Sequence, residues 1–91
     1  MALSSDDKSI ATLTTGNTEV AKPNKNRHFF DFVNYGANPC WLKLGNLPTG
    51  IYLSAHGGSY EINLTNPWDE YIYAQAIGGN TSLSAIEVSK I

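Results

Sequence analysis

Arg27-His28-Phe29-Phe30-Asp31-Phe32-Val33-Asn34-Tyr35-Gly36-Ala37-Asn38-Pro39-Cys40-Trp41-Leu42-Lys43-Leu44-Gly45 reads as two strands around a Gly/Asn/Pro turn. From His28 to Tyr35 bulk falls on both parities, as in a central strand covered above and below. Cys40 to Leu44 then alternates, with Cys40, Leu42 and Leu44 on one face and Trp41 and Lys43 on the other. Between them, Tyr35 to Pro39 has the length of a hairpin connection.

Outward from this stretch the same grammar continues. Ile10 to Thr14 alternates with period two, Gly16-Asn17 supplies a turn, and Thr18 to Ala21 is expected to pair back as a short strand. Pro23 to Asn26 forms a loop, because proline donates nothing to a ladder and asparagine tolerates turn backbone. Downstream, Ile51 to Leu53 ends at His56-Gly57-Gly58. Tyr60, Ile62 and Leu64 share a face, Glu70 to Ile77 is strand-like, Gly78-Gly79-Asn80 predicts a tight hairpin, and Ser82 to Lys90 closes the chain with Ile86 and Val88 inward. No window shows helical periodicity. The fold class expected is all-β, a single antiparallel β-sandwich or jelly-roll-like domain of about eight short strands over 10–91. A polar N-terminal arm, 1–9, is expected to be flexible.

Phe30, Phe32, Leu42, Leu44, Ile62, Leu64, Ile72, Ile86 and Val88 are the expected core. Charged residues make up 15% of the 91-residue chain, well below the usual share of about 25%, and Ser, Thr, Asn and Gly take their place. A domain this small has a thin stability margin and commonly gains from disulfides, metals or self-association. Cys40 is the only cysteine, and two histidines without a second cysteine make a poor zinc set. Self-association is the route left.

The net charge of −2 and scattered lysines argue against nucleic-acid binding, the short Lys22 to Arg27 cluster reading as a solvated loop. No secretory h-region and no run of ~18 apolar residues is present, so no membrane partner is expected. Cys40 sits on an apolar face, where a thiol behaves as a small hydrophobe. His28 and His56 lack ligand spacing to any other candidate, and neighbours Asp69 and Glu70 would point to opposite faces of a strand. No catalytic, metal or cofactor site is expected, and the chain is read as non-enzymatic.

Trp41, Tyr52, Trp68, Tyr71 and Tyr73 are the candidate interface or ligand platform. Three roles compete for them: core packing, anchors in a subunit interface, and a flat platform for sugar. Trp68, after Asn66-Pro67 in a loop, is expected to be partly exposed.

Arg27, Phe30, Phe32 and Asn34, then Gly36, Asn38, Pro39, Trp41 and Gly45, and downstream Leu53, Gly57-Gly58-Ser59-Tyr60-Glu61, Trp68, Ala74 and Thr81 form a pattern over residues 10–90 that resembles small all-β virion structural proteins of tailed bacteriophages. His56 departs from it, standing where proline or a small residue is expected. The resemblance implies a head decoration, head fibre or tail-associated subunit, without catalytic residues. It further implies a homotrimer that docks on major capsid or tail protein and resides in the virion after assembly in the host cytoplasm. The alternative is a carbohydrate-binding module for host-surface glycans.

Overall fold

The computed structural model describes residues 2–91. Nine strands run in chain order: β1 (Leu3–Asp7), β2 (Ile10–Leu13), β3 (Thr18–Ala21), β4 (Arg27–Asn34), β5 (Cys40–Leu44), β6 (Ile51–Leu53), β7 (Ser59–Ile62), β8 (Ile72–Ala76) and β9 (Thr81–Lys90). They pair antiparallel in a nested series: β2 with β9, β3 with β8, β4 with β7, β5 with β6. This is one long hairpin of strand pairs, rolled over so that β9 also meets β4 and β8 also meets β5. The result is two facing sheets, β1/β2-β9-β4-β7 and β3-β8-β5-β6, the order of a jelly-roll sandwich. The all-β expectation holds.

The roll explains what local turn chemistry could not. Gly78-Gly79-Asn80 joins β8 to β9 and the 35–39 segment joins β4 to β5, yet each joins strands of opposite sheets. They are corners, not hairpins, and they pack on one another. Tyr35 N–H donates to Ser82 O (3.0 Å), Ile77 N–H to Pro39 O (2.9 Å) and Asn38 Nδ2 to Asn80 O (2.9 Å). Gly36 is needed at this seam, because a Cβ there would lie 2.1 Å from Thr81 Oγ1 and 2.4 Å from Ser82 N. The Gly16-Asn17 turn likewise crosses between sheets, so β3 pairs with β8 rather than back onto β2.

Leu3 to Asp7, expected as a mobile arm, is an edge strand paired with Ile86 to Lys90. Every side chain of β1 is exposed, so hydrophobic periodicity carried no trace of it. The backbone supplies the reason: β9 spans ten residues, and β2 covers only its first half. Lys8 N–H donates to Ala85 O (2.7 Å) and Ala85 N–H to Ser9 Oγ (3.0 Å), carrying the edge from one strand to the next.

The core holds Leu13, Val20, Phe30, Phe32, Cys40, Leu42, Leu53, Ile62, Ile72, Ala74, Leu83 and Ala85. Phe30 and Phe32 stack with ring centroids 4.3 Å apart and fill the centre. Their registered partners on β9 are Glu87 and Ala85, so Leu83, Ala85 and Glu87 face inward while Ile86 and Val88 face out. Period two was legible along β9, but Ile86 and Val88 lie on the outer parity, opposite to Leu83 and Ala85. Leu64 lies beyond the end of β7 and is 65% exposed, a second correction to the expected core. Leu44 is partly buried against the core.

Candidate binding faces

The outer face of the four-strand sheet gathers four of the five predicted aromatics. Trp41 on β5 registers with Tyr52 on β6 and with Gln75 on β8, and registered antiparallel partners share a face. Trp41 and Tyr52 meet edge to face, centroids 5.8 Å apart at 77°, the arrangement that the ring quadrupoles favour. Two residues farther along β5, Lys43 registers with Tyr73, and Tyr73 stacks on Tyr71 at 6.0 Å. Tyr52 is 56% exposed and Tyr71 is exposed as well.

Lys43 is the unexpected member of this face. Only 3% of it is exposed, and its ammonium donates to Gln75 Oε1 (2.7 Å) and Asn17 Oδ1 (3.0 Å). Gln75 Nε2 donates on to Thr15 O (2.8 Å) and Asn17 Nδ2 to Asn46 Oδ1 (3.0 Å). An amide network thus holds the 14–17 corner and the β5–β6 hairpin around a buried cation. The sequence placed Lys43 on the outer parity but offered no sign that loop amides would cover it.

Trp68 stands apart. Its Nε1–H donates to Tyr71 O (2.9 Å), its ring lies beside Gly45, and it packs against the core. It is an anchor rather than an open platform. It also walls a cleft of about 300 Å³ with Lys25, His28, Ile62, Leu64 and Glu70. Lys25 Nζ bridges Asp69 (3.1 Å) and Glu70 (3.2 Å). Those two carboxylates converge, contrary to the strand argument, because β8 starts only at Ile72 and residues 67–71 are loop. Hydrogen bonds donated to Asp69 and Glu70 hold the Lys25 ammonium pKa above its ordinary value. His28 Nδ1 is buried at this end without a hydrogen-bond partner among the described residues.

The outer face of the five-strand sheet is different in kind. Val33 registers with Ser84, Asp31 with Ile86, and Phe29 with Val88, so Phe29, Val33, Ile86 and Val88 form a half-buried apolar stripe. Asp7 and Glu61 extend the Asp31–Ile86 row on either side. None of Asp7, Asp31 and Glu61 is in an ion pair among the described residues. Sequence reasoning missed this face by sending Ile86 and Val88 inward. The parity of Phe29 and Val33 against the buried Phe30 and Phe32 was the available signal.

Neither Cys40 nor His56 lines the cleft that holds His28, Asp69 and Glu70. Cys40 lies in the core, and burial pushes its thiol pKa up to about 11, away from the thiolate that nucleophilic chemistry needs. His56 sits exposed at a corner with φ 59°. That left-handed backbone is uncommon for a residue other than glycine. No group of three or more His, Cys, Asp or Glu is placed to hold a metal ion among the described residues. Compared with family models, with curated proteins and with solved structures, the chain matches none.

Proposed function

We propose that this chain is a non-enzymatic structural subunit of a virus particle. In this reading it assembles with copies of itself and docks on capsid or tail protein. One observation carries it: the apolar stripe Phe29, Val33, Ile86 and Val88 lies outside a domain that has already filled its core. Contiguous apolar surface rimmed by polar residues marks contact surfaces, and a domain of this size gains stability by covering it.

The charges argue for a ring rather than a two-fold dimer. An isologous contact through this face would bring two sets of Asp7, Asp31 and Glu61 into one interface. A heterologous contact places the face against a different surface of the next subunit, and three such contacts close a trimer. Jelly-roll sandwiches serve as viral capsid and lectin domains, which is compatible with the reading without selecting it. Mass spectrometry of purified particles of the virus whose genome encodes the chain tests the docking: the subunit is expected at a fixed ratio to the major capsid or tail protein. Its absence from intact particles overturns the proposal.

A second reading, recognition of host-surface glycans, is favoured by the exposed Tyr52 and half-buried Trp41 beside the Gln75 and Asn17 amides. The two readings use opposite faces of the sandwich and are compatible.

A further inference from the structure

Among the chain's six Lys and Arg side chains, Lys8, Lys22, Lys25 and Arg27 each sit on a carboxylate. Lys43 and Lys90 do not among the described residues, and of these two only Lys43 is buried. A buried ammonium served only by neutral amide oxygens is costly, because its desolvation is not offset by a counter-charge. That cost is borne on an outward face that also carries the Trp41–Tyr52 pair, and not inside the core.

We propose that the outer face of the four-strand sheet is a binding site for a carboxylate-bearing pyranose, a uronic or sialic acid unit of a glycan. The inference rests on the glycan reading above and adds the ligand's charge and the residues that read it. Tyr52 and Trp41 offer the C–H face of the sugar ring a surface of two rings at 77° to each other. The Gln75 amide, in register with Trp41, lies where ring hydroxyls can reach it. The carboxylate takes the place of Asn17 Oδ1 on the Lys43 ammonium. Asn17 is exposed in a corner, so its amide can turn to solvent without disturbing a strand. Exchange of a neutral for an ionised acceptor strengthens that hydrogen bond and supplies the missing counter-charge. An apolar peptide suits the site less well, because Lys43, Gln75, Asn17 and Asn46 place polar groups around the rings.

Binding of the full chain to an immobilised glycan panel tests this. The panel carries uronate and sialic acid oligosaccharides, their methyl esters, and neutral oligosaccharides. A charge-assisted hydrogen bond predicts binding to the free acids at least about tenfold stronger than to the esters, weakening as salt rises. Lys43→Met should bring acid and ester to the same level, and Tyr52→Ser should weaken both. Tyr52 is exposed, so its variant tests the site even if Lys43→Met fails to fold. Equal binding of acid and ester by the unmodified chain overturns the carboxylate assignment and leaves the glycan reading standing. Failure to bind any glycan on the panel overturns both.

Discussion

Arg27 and Glu87 form an ion pair of 2.8 Å whose side chains are only 1% and 7% exposed, at one end of the sandwich. The pair joins β4 to β9, and the guanidinium reaches farther. It donates to Trp68 O (2.8 Å), Glu70 O (3.2 Å) and Lys22 O (2.9 Å), and lies 5.3 Å from the Phe30 ring centroid. One side chain therefore ties the five-strand sheet to the loops that lead into and out of the opposite sheet. Glu87 is tolerated on the inner face because this fork meets it.

Removing one partner should strand the other charge. Glu87→Leu is expected to cost ~3–5 kcal/mol, as for other broken buried pairs. Adding Arg27→Met should not restore full stability, because three loop carbonyls then lose their donor. Urea midpoints of the two variants check this, and a double variant as stable as the parent would show the carbonyl contacts to be dispensable.

At the other end of β4, Asn34 is fully buried and satisfied on all sides. Its Nδ2 donates to Asn38 O (2.9 Å) and Leu53 O (3.2 Å), and its Oδ1 accepts from Gly36 N–H (3.1 Å) and Thr81 Oγ1 (2.8 Å). Asn34→Leu orphans groups in the 35–39 corner, at the end of β6 and at the start of β9 at once. A loss of at least ~2 kcal/mol is expected from unmet buried hydrogen bonds, read as a lowered denaturant midpoint. A midpoint within error of the parent would mean that water replaces the amide.

Phe32 and Ile86 should separate stability from assembly. Phe32→Ala removes a ring from the stacked pair at the centre of the core and is expected to cost ~3–5 kcal/mol. Ile86→Ser, on the outer face, should change the stability of the isolated domain by less than ~1 kcal/mol. Chemical denaturation at low protein concentration measures both, and comparable losses would place Ile86 in the core.

Cys40 offers a pH test. Its thiol pKa is raised from 9.0 to about 11 by burial, so the folded chain holds this proton more tightly than the unfolded one. The associated stability is fully present below pH 9 and is lost as pH rises through about 11. At pH 8 the native chain should resist a thiol-specific disulfide reagent that labels it at once in denaturant. Rapid stoichiometric labelling of the native chain would contradict the buried placement.

How much of this was legible depended on whether the signal was local. Leu42 and Ile62 announced their strands through alternation, Phe30 and Phe32 theirs through a run bulky on both parities, and the Gly, Pro and Asn clusters marked the breaks. What the clusters connect was not legible: Gly78-Gly79 suits a hairpin as well as a sheet-crossing corner, and only the nested pairing of distant strands decides. β1 was invisible because its pairing is carried by backbone hydrogen bonds with no apolar side chain behind it. For the candidate faces, the parity of Trp41 and Lys43 was readable. The burial of Lys43 was not, since it depends on Asn17 and Gln75, 26 and 32 residues away. Arg27 and Asn34 belong to the viral-protein resemblance, and here their visible role is to latch the two ends of β4.

Light scattering across micromolar concentrations, on the parent chain and on an Ile86→Ser/Val88→Ser variant, tests the assembly claim most directly. The account predicts a parent mass three times the 9.9 kDa of the chain and a melting temperature that rises with concentration. The variant should fall to the monomer mass with an unchanged far-UV spectrum. A parent that stays at 9.9 kDa throughout, with a concentration-independent melt, would contradict it.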